Sequence, residues 1–157
     1  MRVALKIVKW IVIVVVCGFV VIQFWRPARS NPPVDQAQTI NMHQQVNPQV
    51  AAILDRSCQD CHANTTRWPW YTNVAPVSWF IADHVDEGRR HLNLSEWGKL
   101  PPNRRQKKLQ EICEQVEEGF MPLGTYTPLH PGSELSPADK QALCDWANAE
   151  RSRVVAR

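Results

Sequence analysis

The sequence predicts an all-α protein whose helical domain is preceded by one N-terminal membrane helix. Four segments after residue 45 place apolar side chains at helical spacing, and no segment shows the alternation of apolar and polar residues that is typical of strands. An uncharged run extends from Trp10 to Trp25. The length of 157 residues indicates a single folded domain beside these N-terminal features.

The positive charge of the chain is concentrated at its N-terminus. Residues 1–29 contain five basic residues and no acidic one, which leaves 13 basic and 15 acidic residues in the rest of the chain. A nucleic-acid-binding protein is expected to be basic over its folded surface. The charge distribution therefore speaks against nucleic acid as a partner.

Residues 1–29 are predicted to form an uncleaved signal-anchor. A helix made of the sixteen uncharged residues Trp10 to Trp25 is about 24 Å long, a little short of a bilayer core of about 30 Å. Lys9 and Arg26 flank the run and can extend their charged ends to the lipid headgroups. A signal peptide would also fit this length, but no small-x-small cleavage site follows.

The short basic N-terminal tail favours an orientation with the N-terminus inside, so that the remaining chain faces the periplasm. Residues 30–45 are rich in Gln, Asn and Pro and lack a helical apolar stripe, which predicts a flexible tether. Residues 46–157 are predicted to form the globular domain. The predicted location is the inner membrane, crossed once.

Four helices are predicted in the globular domain. They begin near Asn47, Pro76, Asn103 and Ser136. Pro48 and Pro137 each follow a capping residue, at the first helical position, where proline costs no hydrogen bond. The second helix is expected to turn a face containing Phe80, His84 and Gly88 inward.

The run Cys58-Gln-Asp-Cys61-His62 at the end of the first helix is the attachment motif of c-type haem. Two thiols one helical turn apart can form thioethers with the two vinyl groups of one porphyrin edge, and His62 then supplies the proximal iron ligand. A thioredoxin-like pair would need a βαβ setting, and a zinc site would need a second ligand pair. The motif predicts one covalently bound haem c, attached outside the cytoplasm.

The distal iron ligand has two candidates. Met121 is the only methionine of residues 46–157, and it lies in a loop with Gly119 and Gly124 on either side. A His/Met pair fills the sixth coordination position and favours electron transfer. His84 is the alternative, because it falls on the predicted inner face of the second helix and bis-His ligation is also known for haem iron.

Two further groups of residues have a predicted role. Arg67, Trp68, Trp70 and Tyr71 follow the haem motif. The aromatic rings are expected to wall the haem and the polar groups to bind its propionates, with ordinary core aromatics as the alternative for each ring. Cys113 and Cys144 lie on neighbouring predicted helices and are expected to form a disulfide outside the cytoplasm, with two buried thiols as the alternative.

The chain resembles the bacterial haem-binding domain family over about residues 46–151. The resemblance is carried by the segments Ser57–His62, Asn64–Tyr71, Ala75–Trp79, His84–Trp97, Met121–Leu123 and Tyr126–His130. It implies an exported domain with one covalent haem, related in plan to the small class I cytochromes c. In those proteins a first helix carries the haem motif, a Met-Pro loop supplies the distal ligand and a last helix crosses the first. The present chain departs from this plan by a Trp-rich insert and an extra helix, which bring His84 near the expected pocket.

These expectations combine into a membrane-anchored, periplasmic, monohaem c-type cytochrome that transfers single electrons to or from a redox protein in the periplasm or inner membrane. Such a carrier needs no catalytic residue of its own, so the chain is not expected to be an enzyme. The alternative is a haem-based sensor whose distal ligand is displaceable. A peroxidase-like enzyme comes third, with His84 and either Asp83 or Glu87 as its acid–base pair.

Overall fold

A computed structural model describes residues 2–155 of the chain. These residues form seven α-helices joined by turns and short 3₁₀ segments, and none of them lies in a strand, which confirms the all-α prediction. The helices are α1 (Arg2–Ile22), α2 (Ile40–His43), α3 (Pro48–Ser57), α4 (Gln59–His62), α5 (Val77–His91), α6 (Pro102–Glu117) and α7 (Pro137–Val155).

The chain folds into two compact units. The first, called here the anchor unit, combines Met1–Ser30 with Arg67–His84. The second, called the haem-motif unit, combines Asn31–Thr66 with Val85–Arg157. Helix α5 therefore contributes its first part to the anchor unit and its last part to the haem-motif unit.

Helix α1 of the anchor unit has the properties of a membrane span. Its 21 residues correspond to a length of about 31 Å, and none of its side chains is buried. Among the described residues it is the one helix long and apolar enough to cross a bilayer. The predicted N-terminal apolar helix is thus present.

The segment 67–84 of the anchor unit is attached to the end of α1. The Gln23 carboxamide donates to the carbonyl of Ala75 at 3.0 Å and accepts from its N–H at 2.9 Å. The indole N–H of Trp79 donates to the carbonyl of Trp25, and Arg29 donates to the hydroxyl of Thr72 at 3.2 Å. Because Ala75 and Thr72 are also buried, this segment and the end of α1 form one packed structure.

The core of the haem-motif unit is built from α3, α6 and α7, around the fully buried Trp97. Each helix contributes one apolar stripe, namely Val50, Ile53 and Leu54 from α3, Leu109, Ile112 and Val116 from α6, and Leu143, Trp146 and Ala147 from α7. A disulfide between Cys113 and Cys144 joins α6 to α7. The expected disulfide is therefore confirmed.

The structure differs from the expected tether in its second half. Residues 30–45 contain a 3₁₀ turn and α2, and Ile40 is buried in the core of the haem-motif unit. The Ile40 N–H donates to the carbonyl of Leu94 at 2.9 Å, while Gln45 accepts from the indole of Trp146 and donates its N–H to the carboxylate of Glu150. A single buried apolar side chain in a largely polar segment leaves no periodic pattern, and the contacts made by Ile40 and Gln45 come from distant parts of the chain.

The buried face of α5 also differs from the expected one. Ser78, Ala82 and Val85 are buried, whereas Phe80 is exposed and His84 is half-buried. Small side chains allow close packing along this face although they add little to an apolar pattern. The large apolar side chains on which the expected face was based, such as Phe80, point away from the buried face of α5.

Candidate functional site

The haem motif occupies the junction between α3 and α4. Asn47 caps α3 by accepting from the N–H of Val50 at 2.9 Å, and the helix ends at Ser57. Cys58 breaks the helical path with a φ of −126°, after which α4 makes a single turn up to His62. The N–H of His62 donates to the carbonyl of Cys58 at 2.9 Å, so that both thiols and the imidazole lie within one turn.

The imidazole of His62 is held through its Nδ1 atom. This nitrogen lies 2.9 Å from the carbonyl oxygen of Gly88 and 3.1 Å from that of Leu92. Because carbonyl oxygens only accept hydrogen bonds, Nδ1 carries the proton and the lone pair is on Nε2. Burial lowers the pKa of His62 and outweighs the two backbone hydrogen bonds that favour the charged form. A neutral imidazole with Nε2 available is the form that binds a metal.

The two thiols of the motif are half-buried and do not form a disulfide. Burial, with a smaller effect of Cys61, raises the pKa of Cys58 to about 12. Burial, with a smaller effect of the neighbouring Asp60, raises the pKa of Cys61 to about 11. Both residues are therefore protonated thiols at neutral pH, and both are chemically free to form thioethers.

Helix α5 comes into close contact with the motif at Gly88. A Cβ atom at this position would lie 2.7 Å from the carbonyl oxygen of Cys61 and 3.2 Å from its Cβ. Only glycine allows the two backbones to come this close. The same approach brings the Gly88 carbonyl to Nδ1 of His62, so the packing of α5 orients the imidazole.

Arg89 stabilises the segment that follows the motif. Its guanidinium donates to the carbonyl of Ala63 at 2.9 Å, to the hydroxyl of Thr66 at 2.8 Å and to the carboxamide of Asn31 at 3.0 Å. The Thr66 hydroxyl in turn donates to the carbonyl of Asp60 at 2.7 Å. Arg89 thereby connects α5, the chain after α4 and the start of the haem-motif unit.

Asp60, between the two cysteines, connects the motif to the loop that contains Met121. Its buried carboxylate accepts from the hydroxyl of Tyr126 at 2.8 Å. The Tyr126 ring stacks on His130, with ring centroids 3.7 Å apart and an angle of 12° between the planes. The loop between α6 and α7 is therefore fixed to the haem motif by a side-chain hydrogen bond.

Met121 lies in this loop, as predicted, just after the end of α6. Its N–H donates to the carbonyl of Gln115 at 3.1 Å, and its side chain is half-buried against the core of the haem-motif unit. Cys58 packs against the same core. The assignment of the Met121 sulfur as distal iron ligand stays a prediction.

The remaining predicted site residues belong to the anchor unit. They are Arg67, Trp68, Trp70, Tyr71 and His84. Nδ1 of His84 lies 2.7 Å from the carbonyl oxygen of Phe80, at hydrogen-bond distance, and the centroids of the two rings are 4.0 Å apart. The rings of Trp70 and Tyr71 pack edge-to-face, with centroids 5.9 Å apart. Their roles as haem-pocket residues or as an alternative iron ligand remain predictions.

Sequence reasoning assigned no role to Asp60, Arg89 or Tyr126. Asp60 was one of the two variable positions of the haem motif, and Arg89 was one of several basic residues near the end of a helix. One signal in the sequence could have pointed to Arg89 and Tyr126, because both lie in segments that carry the family resemblance.

The residues present fit a haem group with covalent attachment. Two free thiols one turn apart stand beside a neutral imidazole whose Nε2 is available, which is the donor set that haem c requires. A family model described as a haem-binding domain matches residues 17–149, most of the chain. No curated protein and no solved structure matches the chain. On the extent of the family match, the chain belongs to the haem-binding domain family and binds haem.

Proposed function

We propose that this protein is a membrane-anchored, periplasmic c-type cytochrome that carries one haem and transfers single electrons. The observation that carries the proposal is the state of His62. Its Nδ1 proton is bound by two backbone carbonyls, and it stands within one helical turn of two free thiols. An ordinary core histidine does not need such neighbours.

Cys58 and Cys61 attach the haem in this proposal. Each S–H would add across one vinyl C=C bond of the haem, with sulfur bonding to the carbon next to the ring and hydrogen to the terminal carbon. The addition has no leaving group and changes no overall oxidation level, so it needs no separate oxidant. The thiols must be reduced beforehand, and no disulfide joins Cys58 to Cys61.

Nε2 of His62 would hold the iron, and the carbonyls of Gly88 and Leu92 keep its ring in place. When bound, haem supplies an iron that gains or loses one electron, with a potential set by its ligands and surroundings. Met121 is the proposed distal ligand and His84 the alternative. A filled sixth position makes the protein an electron carrier, whereas an open or weakly filled one would favour a ligand-binding sensor.

The proposed location rests on two features. Helix α1 is long and apolar enough to span a membrane once, and the inner membrane is the proposed one. The Cys113–Cys144 disulfide is of a kind that persists in oxidising compartments such as the periplasm. A periplasmic or membrane-bound redox protein is the proposed partner.

The purified full-length chain tests this function. Haem staining after denaturing electrophoresis should be positive, and it should be lost in the Cys58→Ala/Cys61→Ala double variant. The optical spectrum should show low-spin iron in both oxidation states and no response to carbon monoxide. High-spin iron, or rapid carbon monoxide binding by the reduced protein, would exclude the electron carrier and favour an open or displaceable distal site.

A further inference from the structure

We propose that the anchor unit rests on the membrane surface through four exposed apolar side chains, in addition to being held by α1. These side chains, called here the aromatic surface, are Trp70, Val77, Trp79 and Phe80. The occupant of this surface is the outer leaflet of the bilayer that α1 spans. The inference rests on the proposed membrane anchoring.

The aromatic surface is unusual for a part of the chain that faces water. The exposed fractions of its side chains are 78% for Trp70, 41% for Val77, 39% for Trp79 and 49% for Phe80. Residues 70–82, which contain all four, carry no charged side chain. Tryptophan and phenylalanine in a segment that itself carries no charge match the region where lipid headgroups meet acyl chains.

The position of the aromatic surface along α1 supports lipid as its occupant. The Trp79 indole donates to the carbonyl of Trp25, which lies three residues beyond the end of α1. Trp79 is therefore at the depth at which the chain leaves the membrane. Phe24 and Trp25 are themselves highly exposed, so apolar surface continues from the span to the segment 70–80.

The pairing of Gln23 with Ala75 fits a location at the membrane boundary. Gln23 is the one strongly polar side chain between Trp10 and Trp25, where a polar group without a partner would be costly. Its carboxamide both donates to and accepts from the backbone of Ala75, at 3.0 and 2.9 Å. The hydrogen bonds satisfy polar groups of both segments where water is scarce, and they hold the aromatic surface next to the span.

A protein partner explains the exposed aromatic surface less simply than lipid does. It would have to reach a surface that adjoins the end of a membrane span, where lipid is already present. The same apolar side chains need no specific shape to enter a lipid interface, since burial of apolar area is sufficient. The bilayer therefore accounts for the exposed side chains without a further component.

The proposal can be tested by measuring the depth of residue 80 in a bilayer. The full-length, haem-loaded chain would carry Cys17→Ala and Phe80→Cys, with a bimane fluorophore on the new thiol. It would be placed in phosphatidylcholine nanodiscs with or without lipid that bears a nitroxide on its headgroup. We expect the nitroxide to quench residue 80 several-fold more than the same probe at Gln110, an exposed position among the charged side chains of α6.

Quenching at residue 80 no greater than at Gln110 would overturn the proposal. This is also the result expected if the natural occupant of the aromatic surface is a protein and not lipid. Val77→Cys with the same probe repeats the measurement if the Phe80 variant fails to bind haem. Co-migration of chain and nanodisc separates the two levels of inference. If the chain stays with the disc but residue 80 is not quenched, only the proposed lipid contact of the aromatic surface is refuted. If the chain separates from the disc, the proposed membrane anchor is refuted as well.

Discussion

Substitution of Gly88 by alanine tests the contact that orients the proposed iron ligand. The added methyl group would lie 2.7 Å from the carbonyl oxygen of Cys61, a distance at which the backbone of α4 or α5 must shift. Overpacking of this kind costs about 1–3 kcal/mol. Alanine in place of glycine within a helix returns up to about 1 kcal/mol through its higher helix propensity.

The balance leaves a net loss between zero and about 3 kcal/mol in the free energy of unfolding of the haem-loaded protein, and we expect a value near its centre, about 1–2 kcal/mol. For a domain of this size, that loss lowers the thermal midpoint by roughly 4–8 °C. The midpoint would be followed by circular dichroism and by the haem absorbance together. Displacement of the Gly88 carbonyl should also weaken the hydrogen bond at Nδ1 of His62 and raise the reduction potential of the haem.

Gly124→Ala is the matched control, because a Cβ atom at Gly124 meets no other atom within 4 Å. Its thermal midpoint should stay close to that of the parent protein. If Gly88→Ala is as stable as the parent and has an unchanged potential, α5 does not hold the imidazole of His62 by this contact. The packing of α5 would then have no part in orienting the proposed iron ligand.

Three further changes test other parts of the site. Met121→Ala should abolish the charge-transfer band between methionine sulfur and ferric iron, and persistence of that band would exclude Met121 as the distal ligand. Tyr126→Phe removes the donor to the buried carboxylate of Asp60 and should cost about 1.5–3 kcal/mol in unfolding experiments, so an unchanged stability would contradict the proposed fixing of the loop. Replacing both Cys113 and Cys144 by alanine opens a loop with a sequence separation of 31 and should cost about 3–4 kcal/mol, with haem staining retained. Loss of covalent haem in that double variant would show that these cysteines matter for attachment and not only for stability.

Three of the predicted helices begin or end where local signals place them. Asn47 caps α3, and Ser136 and Asp139 form the expected reciprocal hydrogen bonds at the start of α7. The helix expected from about Asn103 to Glu118 extends from Pro102 to Glu117. Caps, prolines and apolar periodicity act within a few residues, so a single sequence contains them in full.

The parts that sequence reasoning missed depend on contacts between distant segments. The role of Arg89 requires the carbonyl of Ala63 and the side chain of Asn31, which are 26 and 58 residues away. The buried face of α5 contains Ser78 and Ala82, which are too small to stand out in an apolar pattern. Small side chains of this kind allow close packing, but the need for it becomes visible only when the segment that packs against them is known.

Helix α5 accounts for the main departure from the plan of a small cytochrome c. Its first part carries Val77, Trp79 and Phe80 and is fixed to the end of α1, so it belongs to the part of the chain that we assign to the membrane. Its last part supplies the Gly88 carbonyl to His62 and the Arg89 side chain to the chain after the haem motif. We therefore propose that the extra helix adapts a haem domain to a fixed place at the membrane, and the depth of residue 80 is the measurement on which that interpretation depends.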